Sequence, residues 1–139
     1  MFSHLFVGVR DFERALGFYG PLMDALGIER RFCEPARPWA GWQSPDGPRP
    51  LFIVGTPYDG QPHQAGNGQM VAFLAADRAT VRRAYRAALE NGGTSEGAPG
   101  PRPEYHANYY GAYFRDPDAN KLCVACHSPE VELDADRDA

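Results

Sequence analysis

The sequence predicts an α+β chain made of two βαβββ modules, and three observations carry that reading. A short apolar run is twice followed by an aspartate and an amphipathic helix, three strand-like segments follow the first helix, and the chain matches itself at an offset of 66 positions. At that offset Asp11 falls on Asp77, Tyr19 on Tyr85 and Gly27 on Gly93, while Leu5, Val7 and Val9 fall on Val71, Phe73 and Ala75. The shared residues are a helix cap, an interior aromatic and a helix-ending glycine. Duplication of one unit accounts for all three.

Ser3 to Val9 is a short apolar run, and Asp11 is placed to cap a helix beginning at Phe12. Along it Ala15, Leu16, Phe18, Tyr19, Leu22, Met23 and Leu26 recur near helical spacing, Gly27 takes the left-handed end position, and Pro21 is expected to kink or split the helix. Strand segments follow at about 29–33, 40–43 and 51–54, and Thr56 to Gly68 reads as a connector. Gln69 to Ala75 is strand-like again, and Ala79 to Glu90 places Val81, Ala84, Tyr85, Ala88 and Leu89 on one helical face. Thr94 to Asn108, dense in Gly and Pro, reads as a long loop and so as a pocket rim or lid. Tyr109 to Arg115 and Lys121 to His127 form a hairpin around Asp116-Pro117-Asp118-Ala119-Asn120. Of its two candidates for a left-handed backbone, Asn120 tolerates that conformation better than Ala119. The expected organisation is one domain over 1–128, with modules of about 1–55 and 69–128.

Composition excludes several functions. The net charge of −4 resides wholly in the last eleven residues, where five acids face Arg137, so positions 1–128 balance at 13 basic and 13 acidic side chains. No electropositive field is left for a phosphate backbone, and nucleic acid is not an expected partner. The tail 129–139 is expected to be disordered. The basic helix face Arg78, Arg82, Arg83 and Arg86 reads as solvated surface. Leu5 to Val9 is too short for a leader or a membrane span, and three cysteines, an odd number, read as free thiols of a cytoplasmic protein.

In their order and spacing the motifs resemble the vicinal oxygen chelate superfamily, which includes glyoxalase, bleomycin-resistance protein and extradiol dioxygenase. They are His4 with Val7, Asp11 and Phe18-Tyr19; Gly66-Asn67-Gly68 before Val71-Ala72-Phe73; Pro103-Glu104-Tyr105-His106 and Asn108-Tyr109-Tyr110; Asp116-Pro117-Asp118 with Asn120-Lys121; and Cys126-His127. The resemblance implies curved mixed sheets around a funnel-shaped pocket. It further implies that metal-binding members take ligands from the first and last strands of each module. Here those positions are His4, Phe52, Met70 and Cys123, and the resemblance places a histidine and a glutamate where Met70 and Cys123 stand. Thioether and thiol are soft donors unsuited to a hard oxygen-chelating ion, so no cofactor is expected, although a divalent metal stays open as the alternative.

The expected pocket is lined by His4, Phe6, Trp42, Phe52, Met70, Tyr105, His106, Tyr109, Tyr113 and Cys123, with His4, Phe52, Met70 and Cys123 converging on one cavity. Strand alternation puts His4, Phe6 and Gly8 on one face and, carried back through the hairpin from Cys123 as the resemblance aligns it, favours Tyr109, Gly111 and Tyr113 as the inward set. His4 is a ligand or a pocket hydrogen bonder; His106 is a general acid or base, or a solvated loop residue. Arg102 meets an anionic group or simply solvates. Cys123 and Cys126, three apart on a strand, should point to opposite faces and share neither a metal nor a disulfide. Two functions stand side by side. One is a metal-free protein that binds a small organic molecule; the other is a lyase or dioxygenase, metal-dependent or using His4 and His106 as acid and base. A second copy of the chain is the other expected partner, with the modules pairing within or between chains.

Overall fold

The computed structural model describes residues 1–130; the expected disordered tail falls largely outside them. The chain runs β1 (His4–Gly8), α1 (Phe12–Leu26), β2 (Arg30–Glu34), β3 (Trp39–Gln43), β4 (Leu51–Gly55), β5 (Val71–Leu74), α2 (Arg78–Glu90), β6 (Thr94–Pro101), β7 (Tyr110–Arg115) and β8 (Lys121–Cys126). Both modules have the expected βαβββ order. Each builds a four-stranded mixed sheet, β1-β4-β3-β2 and β5-β8-β7-β6, in which only the pairs β1/β4 and β5/β8 are parallel. The two sheets do not close into one.

Both helices start alike, because the Asp11 and Asp77 side chains accept from the backbone N–H groups of Arg14 and Thr80. Ala15, Phe18, Tyr19, Leu22 and Met23 form the buried stripe of α1, which ends at Gly27 with φ 71°. Pro21 lies inside α1 without dividing it. In α2 the left-handed position is Gly92, with φ 100°, one residue before the Gly93 that the internal repeat aligns with Gly27.

The segment 94–108 departs from the expectation. Its first eight residues are the strand β6, paired with β7 through two register irregularities, and only the remainder is loop. An edge strand tolerates Pro and Gly because one side of its backbone needs no partner. Arg78 also departs from the solvated reading: its guanidinium carbon lies 4.9 Å from the Tyr110 ring centroid.

One core joins the modules. Its members come from α1, α2 and the helix-facing side of both sheets, including Val54, Phe73, Ala112, Phe114, Leu122, Val124 and Cys126. Three polar contacts reinforce it: the Tyr19 hydroxyl donates to Asp116 at 2.5 Å, Arg14 meets Asp118 at 2.6 Å, and Asn120 Nδ2 donates to the Gly8 carbonyl at 3.0 Å. Asp116 is buried and saturated, since it also accepts from the backbone N–H groups of Asp118 and Asn120 and from Asn120 Nδ2. Asn120 is thereby committed to long-range bonds. The left-handed conformation falls to Ala119, at φ 68°, and not to Asn120 as expected. Among the described residues no helix is long and apolar enough to cross a membrane.

Candidate functional site

Registers decide which side chains share a face. In the first sheet His4 pairs with Leu51 and Leu5 with Phe52, while Trp42 pairs with Phe52, so Leu5, Trp42 and Phe52 point together toward α1. Trp42 and Phe52 are core residues, with Tyr19 at 6.2 and 5.4 Å between ring centroids. Both are therefore corrected from pocket lining on the outer face to interior packing. They border a different cavity, of about 280 Å³, on the helix side with Met23, Val71 and Phe73. The outer face carries His4, Phe6, Leu51, Ile53 and Trp39. His4 is exposed and bonded to the Ser3 hydroxyl at 2.9 Å.

In the second sheet Cys123 pairs with Ala72 on one side and Tyr113 on the other, which sets all three on the outer face. Cys126 lies in the core, so the two cysteines do diverge, and all three cysteines are free. Tyr109 folds back over β7 and places its hydroxyl 2.9 Å from that of Tyr113 and 3.6 Å from the Cys123 sulfur. Gly111 makes this possible. A Cβ there would lie 2.9 Å from the Tyr109 ring. Burial pushes the Tyr109 and Tyr113 hydroxyls and the Cys123 thiol above their ordinary pKa values, and all three stay protonated at neutral pH.

The loop beyond β6 closes over this face, with Arg102 N–H donating to the Tyr109 carbonyl at 3.0 Å. It brings Tyr105 to 4.9 Å and His106 to 5.7 Å from the Tyr109 ring. His106 Nε2 is 2.8 Å from His127 Nδ1, and the Asn108 backbone N–H donates to His106 Nδ1. A backbone N–H only donates, so in the neutral pair His106 carries its proton on Nε2 and gives it to His127 Nδ1. The sequence named His106 but not this partnership with His127. It also passed over His63, whose Nε2 is 2.7 Å from Asn120 Oδ1 and whose ring occupies the space a Cβ on Gly8 would fill. The connector is thus pinned across the end of β1 by a residue that no motif singled out.

The donor set does not fit a hard divalent ion. Cys123 is a buried thiol engaged with Tyr109, Met70 borders a hollow with Arg115 and Lys121, and His4 stands on the other sheet. Among the described residues no three His, Cys, Asp or Glu side chains are grouped to hold a metal. Of the expected convergence of His4, Phe52, Met70 and Cys123 on one cavity, Phe52 is corrected, since it faces α1; His4 lies on the outer face of the first sheet and Cys123 on that of the second.

The family model described as Glyoxalase/Bleomycin resistance protein/Dioxygenase superfamily matches residues 1–124, and the chain belongs to that superfamily. A glyoxalase/bleomycin resistance protein from Albidiferax ferrireducens T118 is 37% identical, with 92% of this chain and 99% of that chain covered and a TM-score of 0.80. A glyoxalase/bleomycin resistance protein/dioxygenase family enzyme from Burkholderia phytofirmans PsJN (16% identity, 91% and 98% covered, TM-score 0.67) is similar in fold. So is the lactoylglutathione lyase from Agrobacterium tumefaciens (21% identity, 91% and 92% covered, TM-score 0.61). No curated protein matches the chain.

Proposed function

We propose that the protein binds a small organic molecule on the outer face of its second sheet without the help of a hard divalent ion. One observation carries the reading. The position that the family resemblance assigns to a metal ligand is a neutral, buried thiol, and it is tied into a cluster of Tyr109 and Tyr113 beneath Tyr105, His106 and His127. Aromatic walls with a few placed hydroxyls and ring nitrogens suit a ring-bearing ligand. The working form is a homodimer. Phe6 on β1 and Met70 and Leu74 beside or on β5 are 47%, 45% and 72% exposed on the outer faces of edge strands, and a second copy would cover them. Free cysteines suit a reducing compartment, and the cytoplasm is the proposed location.

Metal analysis of purified protein tests the reading, with far less than one manganese, iron or nickel per chain expected. Near-unit metal that disappears in His4→Ala overturns it in favour of a metal-dependent lyase or dioxygenase. The His106–His127 pair supports a second reading, in which the same face performs acid–base chemistry on its ligand. Turnover of a bound compound that is lost in both His106→Ala and His127→Ala would establish it.

A further inference from the structure

Arg102 is built into the second sheet's outer face. Its guanidinium carbon lies 5.5 Å from the Tyr113 ring centroid, and Nη1 and Nη2 donate to the carbonyls of Pro101 and Ala98 at 3.3 and 3.0 Å. Two glycines of β6 make the seat. A Cβ on Gly97 would be 3.3 Å from Nη2 and one on Gly100 would be 3.1 Å from Nη1. Among the described residues no carboxylate pairs with this cation. The guanidinium is therefore oriented by neutral carbonyls, keeps its full charge, and retains unbonded N–H groups at Nε and on both terminal nitrogens.

Beside it stands a hydroxyl cluster. Tyr109 bridges Tyr113 and Cys123, its hydroxyl 2.9 Å from that of Tyr113 and 3.6 Å from the sulfur, and Tyr113 also faces Cys123 and Tyr105. A hydroxyl rotates to suit its partner, so a negative ligand beside Tyr113 draws the Tyr113 proton toward itself while Tyr109 donates to Tyr113. A fixed cation beside that hydroxyl, flanked by the rings of Tyr113 and Tyr109, describes the receptor of a flat anion.

Resting on the small-molecule reading above, we propose that this face recognises a planar organic carboxylate, its charge held by Arg102 and Tyr113 and its ring laid against the aromatic cluster. The fork of a guanidinium matches a carboxylate in two parallel bonds, and Tyr113 supplies a third.

The test is a protein-observed NMR titration of the full chain with 1-naphthoate and, separately, with neutral 1-naphthamide. Naphthoate is expected to shift the signals of Arg102, Tyr109 and Tyr113 and to bind about tenfold more tightly than the amide, the difference a charge-assisted pair supplies. Arg102→Met should weaken naphthoate about tenfold and leave the amide unchanged, Arg102→Lys should recover part of the loss, and Tyr113→Phe should cost about threefold. Equal affinity for acid and amide, or unaltered naphthoate binding in Arg102→Met, overturns the proposal while leaving a small-molecule site standing. Displacement of naphthoate by equimolar inorganic phosphate overturns the carboxylate class. Absence of any shift with either compound removes the small-molecule reading of this face together with the proposal. Should Arg102→Met fail to fold, Arg102→Lys and Tyr113→Phe carry the same comparison.

Discussion

The two modules share strand order and pairing, yet their outer faces differ in chemistry. On the first sheet that face is mainly apolar: Phe6, Leu51 and Ile53 lie near Trp39, with the Phe32 ring 4.9 Å from the Trp39 ring and the Arg37 guanidinium 3.6 Å above it. On the second the corresponding surface holds hydrogen-bonded tyrosines, a thiol and a seated arginine. Each face has a glycine beneath an aromatic ring, Gly41 under Phe32 and Gly111 under Tyr109. The same small-residue device supports packing in one module and a polar cluster in the other. The helices differ likewise. Tyr19 reaches across to Asp116 of the second module, whereas Tyr85, its repeat partner, donates to Ser95 within its own module. The contrast teaches that duplication preserved the backbone while α1 took on the added task of joining the halves.

The sharpest break of this contrast is Trp42→Ala set against Trp39→Ala. Deleting the buried Trp42 should cost about 3–5 kcal/mol in urea unfolding, and deleting the half-buried Trp39 roughly half as much. Equal losses would mean that the two faces of the first sheet are buried alike.

Tyr19→Phe leaves a buried carboxylate short of one donor and should cost about 2 kcal/mol, against less than about 1 kcal/mol for Tyr85→Phe. Similar values for the pair would deny α1 its joining role. Gly111→Ala forces the Tyr109 ring away from Tyr113 and Cys123, at a cost of about 1–2 kcal/mol. Its Cys123 thiol should then react faster with a disulfide reagent, and an unchanged rate would show that Tyr109 does not shield it.

Alkaline pH probes the same cluster. Because burial raises the Cys123, Tyr109 and Tyr113 pKa values above the ordinary thiol and phenol range, the unfolded chain releases these protons first. Their contribution to stability is complete below about pH 9 and is lost as pH rises through the raised native values. Stability measured by denaturant titration should fall above pH 9, and Cys123→Ala should flatten part of that fall. The smallest effect expected is that of Ala119→Gly, which relieves a left-handed alanine and should stabilise by about 0.5–1 kcal/mol. Destabilisation would show that Ala119 is held by contacts worth more than its strain.

Local chemistry made much of the fold legible. Asp11 and Asp77 announced two helix starts because a short carboxylate satisfies the free N–H groups of a first turn, and alternation along β7, in the alignment that the resemblance supplied, separated Tyr113 from Tyr110 and Phe114. Where a partner strand or a distant bond decides, the chain alone misled. Phe52 could be assigned a face only through its pairing with Leu5, and β6 became visible only because β7 supplies the hydrogen bonds that its glycines and prolines do not encode locally. Ala119 is left-handed because Asn120 is held by Gly8, a residue 112 positions away. The sequence by itself determined the module, its repetition and the residue types at the site. Only the tertiary structure decided which of them meet, because pairing register and long-range hydrogen bonds depend on segments that no local pattern brings together.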